Sequence, residues 1–104
     1  MLRSLRDSIY LYGLHDPGGE GVMLDVDTPG WLLFTEGIGY NPQDTQGRDY
    51  TGYSNKGLGV MVRLNAGYAG TGTLPFEQVY KDFARRCANF VQASPGAHIW
   101  NVGN

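Results

Sequence analysis

The sequence is poor in cysteine, carries little charge of either sign in excess, and has no apolar run of membrane-spanning length. Cys87 is the single cysteine among 104 residues, so no internal disulfide can form and a disulfide-stapled scaffold is excluded. Eight basic side chains stand against ten acidic ones, giving a formal charge of −2, and no basic block occurs. Neither nucleic acid nor an anionic membrane is therefore an expected partner. The longest apolar stretches fall far short of the ~20 residues needed to cross a bilayer. The N-terminal stretch MLRSLRDSIYLYG has two arginines but also Asp7, and it lacks an apolar core followed by a small-residue cleavage site. It does not read as a secretory signal, and a cytoplasmic location is the expectation. With His15 and His98 as the two histidines, a zinc site is not supported, and no cofactor is expected.

Glycine, by contrast, is abundant. Sixteen glycines, five prolines and seven tyrosines predict a loop-rich chain in which short apolar segments alternate with turns. The length suits one small domain over residues 1–104, with a core of modest size.

Four segments read as strands: Ile9 to His15, Trp31 to Glu36, Val60 to Leu64 and Ala97 to Val102. Each is an apolar run bounded by turn residues such as Thr28-Pro29-Gly30 or Ser94-Pro95-Gly96. Nearly continuous apolar runs suit strands buried on both faces, as in parallel sheets. One helix is predicted from Pro75 to about Gln92. Phe76, Val79, Tyr80, Phe83, Ala84, Cys87, Ala88, Phe90 and Val91 recur at helical spacing. Polar residues, Arg85, Arg86 and Asn89 among them, fill the opposite face, and Glu77–Lys81 and Asp82–Arg86 have the i,i+4 spacing of helix ion pairs. Cys87 falls on the apolar stripe and reads as a core thiol.

Val60 through Val102 is thus a strand–helix–strand crossover, which gives parallel pairing. The stretch from Pro17 to Gly30 has few helix formers but is about long enough for a minimal crossover. Ile38 to Leu58 has room for a short helical turn at most. The stretch from Gly67 to Thr73 is glycine-rich and precedes the helix, but it lacks the lysine of a phosphate-binding loop and reads as a βα loop.

Four segments in order carry a resemblance: GWLLFTEGIG (Gly30 to Gly39), GVMVRLNAGY (Gly59 to Tyr68), FARRCANFV (Phe83 to Val91) and AHIWNVGN (Ala97 to Asn104). Together they resemble the first half of bacterial cellulase-like, retaining glycoside hydrolase (β/α)8 barrels. The resemblance implies an α/β fold, a partial (half) TIM-type barrel of about four parallel strands. In that family the fourth strand ends in an Asn-Glu pair whose glutamate is the acid/base, with a nucleophilic glutamate on the seventh strand. Asn104 matches the asparagine, and the sequence stops before a counterpart of either glutamate. The resemblance therefore implies ancestry and fold, with no independent hydrolase activity.

In a (β/α)8 arrangement, function collects at the C-terminal ends of strands. That rim would hold His15, Asp16, Glu36, Arg63, Asn65, Tyr68, Trp100 and Asn104 as candidate carbohydrate-binding residues. Glu36 and Asp16 are the weak candidates for a substitute carboxylate pair, and they are also the acids available to pair with Arg63 inside its apolar strand. Tyr40, Tyr50, Tyr53, Tyr68 and Trp100 could stack on sugar rings or simply cover the sheet. A half barrel would leave two open sheet edges, which invites a homo-oligomer, a dimer or higher. Three functions remain open: weak carbohydrate binding, an oligomerising scaffold without ligand, and a glycosidase site assembled between subunits.

Overall fold

The computed structural model describes residues 13–25, 30–67 and 74–103. Four strands, β1 (Gly13–His15), β2 (Trp31–Gly37), β3 (Gly59–Asn65) and β4 (Ile99–Val102), pair in sequential order, every pair parallel. Helix α1 (Glu20–Asp25) links β1 to β2, α2 (Thr51–Ser54) lies between β2 and β3, and α3 (Tyr80–Gln92) between β3 and β4. The sheet is open: among the described residues β1 and β4 each have one neighbour. The expected α/β character and parallel sheet are present. The N-terminal part of the strand predicted from Ile9, and the loop residues 68–73, lie outside the described residues.

Strand alternation gives the sheet two unlike faces. On one face Leu32, Phe34, Val60, Val62 and Leu64 are buried against Phe83, Cys87 and Phe90 of α3 and against Tyr50. Leu14 and Trp100 pack on the same core. Registers Leu32↔Val60, Phe34↔Val62 and Val62↔Trp100 align these side chains in rows. The opposite face carries Trp31, Leu33, Thr35, Met61, Arg63 and Ile99, all half-buried, together with exposed Asn101. No described helix covers it. At its start the Trp31 ring lies across Gly59, where any Cβ would strike the ring, and its edge meets His98.

Three expectations from the sequence change. A six-residue helix, α1, forms where no helix is predicted, its start closed by the Glu20 carboxylate accepting from the Gly18 N–H at 2.6 Å. The backbone N–H of Glu20 itself, and then that bond from Gly18, hold the carboxyl below the ordinary glutamate range. The predicted helix from Pro75 starts later. Phe76 is extended, Glu77–Val79 forms a 3-10 turn, and the α-helix begins at Tyr80. Its buried stripe is also rotated, with Phe83, Arg86, Cys87 and Phe90 inside and Phe76, Tyr80, Ala84, Ala88 and Val91 exposed.

Arg86 is the reason for that rotation. Its side chain is buried, and it donates from Nε to the Ile38 carbonyl at 2.9 Å and from Nη1 to the carbonyls of Gln46 (2.8 Å) and Asp44 (3.2 Å). The Asp44 carboxylate stands 3.5 Å from Nε. One turn on, Asn89 donates to the carbonyls of Pro42 and Asp44. The helix therefore uses a cation and an amide to hold the backbone of the long β2–α2 loop. Arg86 turns into that loop, and the i,i+4 pairs Asp82–Arg86 and Glu77–Lys81 do not form among the described residues.

Candidate functional site

The predicted rim residues divide between the two faces of the sheet. Glu36 shares the parity of Phe34 and Leu64, so it sits on the helix side, where Arg48 Nη1 donates to its Oε1 at 3.1 Å. The Arg48 guanidinium in turn lies over the Phe34 and Tyr50 rings, 5.2 and 5.5 Å from their centroids. Arg48 was not singled out by sequence reasoning; its loop position gives no periodic signal. Trp100 also faces the helices, edge-on to Tyr50 and to Phe90. It is half-buried against the core on the helix side of the sheet, away from Arg63.

The expected ion pair of Arg63 with Glu36 or Asp16 is absent. Glu36 is taken by Arg48, and the Asp16 carboxylate lies 3.2 Å from His15 Nδ1 with both side chains largely exposed. Asp16 adopts a left-handed backbone (φ 72°) as the chain leaves β1, and its N–H donates to the Leu33 carbonyl at 2.8 Å. His15 lies in the row Leu33–Met61 on the open face. Tyr68 and Asn104 are outside the described residues.

The tyrosine cluster is mostly structural. Tyr50 is fully buried and Tyr53 partly so, with their rings edge-on to Phe34 at 5.0 and 4.9 Å between centroids. Burial first, then the nearby Glu36 carboxylate, pushes the Tyr50 phenol far above its ordinary value, with the hydroxyl near that carboxylate but outside hydrogen-bonding geometry. Tyr40 is the described loop tyrosine left exposed, just past the end of β2.

What the structure does bring together is a polar row on the open face. Register pairs Thr35 with Arg63 and Arg63 with Asn101, across β2, β3 and β4. Asn65 lies two residues further toward the C-terminal end of β3; it is buried, and its Oδ1 has no donor. Arg63 Nε is likewise buried without an acceptor. Behind this row lies an apolar row, Leu33–Met61–Ile99. The outer end of the Arg63 guanidinium and the exposed Asn101 amide, beside an apolar floor, can hold a polyhydroxylated ligand by its hydrogen-bonding edge and its C–H face. Thr35 and Asn101 look like ordinary polar positions in sequence; the strand register alone reveals them as neighbours of Arg63.

Burial raises the Cys87 thiol above its ordinary value, in keeping with a core role. Among the described residues no three histidine, cysteine or carboxylate side chains stand together as metal ligands, and no helix is long and apolar enough to cross a membrane. No family model, curated protein or solved structure matches the chain.

Proposed function

We propose that this chain is a glycoside hydrolase-like partial barrel whose open sheet face binds saccharide near the C-terminal ends of its strands, without hydrolysing it alone. The observation that carries this reading is the row Thr35–Arg63–Asn101 on three parallel strands in sequential order. Barrels built of βα units place their sites at that end of the sheet. Retaining hydrolysis needs two carboxyl groups ~5–5.5 Å apart across the scissile bond. Glu36, the one carboxylate in the described strands, faces away from the row and is bound by Arg48.

Calorimetric titration of the chain with oligosaccharides of different linkage tests the reading. Weak, saturable binding that falls at least several-fold in Asn101→Ala is expected. No saturable heat with any saccharide would contradict it. Turnover of an activated aryl glycoside that disappears in Glu36→Gln would instead support a glycosidase site assembled between subunits.

A second reading, a self-associating scaffold, has its own observation. Leu74, Phe76, Tyr80, Val91 and Val102 are exposed along α3 and the open β4 edge. Leu74, Tyr80, Phe83, Ala84, Cys87 and Val102 line an apolar groove of about 410 Å³ there. Exposed apolar patches beside an unpaired strand edge favour association. Sedimentation of a dilute sample should then show a dimer or larger species, dissociated by Phe76→Ser; a monomer at micromolar concentration removes this reading.

A further inference from the structure

We propose that the saccharide taken by the open face is an acidic one, its carboxylate seated on Arg63. The inference rests on the saccharide reading above and names the class of sugar. The arginines of the described residues differ in their partners. Arg86 is buried with three backbone carbonyls and the Asp44 carboxylate around it. Arg48 has the Glu36 carboxylate and two aromatic faces. Arg63 is half-buried in the middle of the sheet, its Nε shut off from water, and it has neither a carboxylate nor an acceptor among the described residues.

A half-buried guanidinium without a counter-charge gains from an anionic partner, so an anion that reaches Arg63 is held there. Arg63 is the one lysine or arginine in the four described strands, which matches a ligand carrying a single negative charge at that point. The two Nη groups of a guanidinium, which are not enclosed here, pair end-on with a planar carboxylate through two parallel hydrogen bonds. Asn101, exposed beside Arg63, can donate to or accept from a sugar hydroxyl. The Leu33–Met61–Ile99 row supplies the apolar floor for the ring's C–H face.

A second copy of this chain does not meet the same need. The only acid in the described strands is Glu36, on the other face and already paired. Two copies meeting through their open faces would add a second Arg63 to the layer and no strand carboxylate.

The test is calorimetry with a galacturonate oligosaccharide, its neutral galactose counterpart and inorganic phosphate, on the wild type, Arg63→Met and Arg63→Lys. NMR of the Arg63 Nε–H signal is recorded in parallel. The acidic sugar should bind at least tenfold more tightly than the neutral one and shift the Arg63 signal. That preference should vanish in Arg63→Met and be partly kept in Arg63→Lys. Equal binding of both sugars, unaffected by Arg63→Met, overturns the acidic assignment and leaves the saccharide reading in place. Binding of neither sugar overturns both. Phosphate binding as tight as the acidic sugar makes Arg63 a simple anion site and overturns the assignment, as does self-association that Arg63→Met abolishes.

Discussion

Two side chains, Arg86 and Tyr50, show how much single positions decide in this chain. Arg86 satisfies carbonyls of a loop that has little regular structure of its own. Replacing it with methionine keeps bulk but leaves those buried acceptors unpaired, so a loss of about 2–4 kcal/mol is expected in denaturant unfolding. Tyr50 is the reverse case, because its buried hydroxyl has no partner. Tyr50→Phe should be neutral or more stable, by up to about 1–3 kcal/mol. The phenol's folded-state pKa is raised, so the folded protein holds that proton more tightly than the unfolded chain. The associated stability is complete below the ordinary tyrosine value of 10 and is lost as pH climbs above it. Unfolding midpoints measured from neutral pH upward should fall more in the wild type than in Tyr50→Phe. The sequence concealed both roles. Arg86 sits on what helical spacing marks as a polar face, and Tyr50 lies in a loop rich in glycine and polar residues.

Among the elements, the apolar runs Trp31–Glu36 and Val60–Leu64 were legible because strand burial follows directly from composition. Their place in a parallel sheet was legible from their nearly continuous apolar character. The helix ends were less so, because the 3-10 turn at Glu77–Val79 depends on an extended Phe76 that no propensity marks. The six-residue α1 was missed for a similar reason: its Gly21 and short length give no periodic signal, and the Gly18 N–H to Glu20 carboxylate bond at its start has no sequence mark. The turn between α3 and β4 is a junction of the fold. Gly96 has φ +92°, and a Cβ there would stand 2.5 Å from the Thr51 backbone nitrogen. The neighbouring Pro95 carbonyl accepts from the Tyr50 N–H at 2.8 Å. Gly96→Ala therefore meets both backbone strain and a clash with unyielding main chain. A loss of about 2 kcal/mol or more is expected in thermal or chemical unfolding. Unchanged stability would mean that the α2 loop and this turn do not pack as described.

Among the described residues, the topology gives a sheet covered by helices on one face and by none on the other. The helix-side core accounts for folding. The open face holds the one cation of the described strands, flanked by Thr35 and Asn101 and backed by apolar side chains. The sequence showed Arg63 and Asn65 as polar interruptions of an apolar strand, but it could not assign faces. It therefore grouped Glu36 and Trp100 with them, although these two point into the helix layer. Mapping saccharide-induced shifts of backbone and side-chain signals by NMR tests the central claim most directly. The account predicts shifts concentrated at Thr35, Arg63, Asn65 and Asn101, with Trp100 and α3 unmoved. Shifts along α3 and the β4 edge, or none at any saccharide concentration, would contradict it.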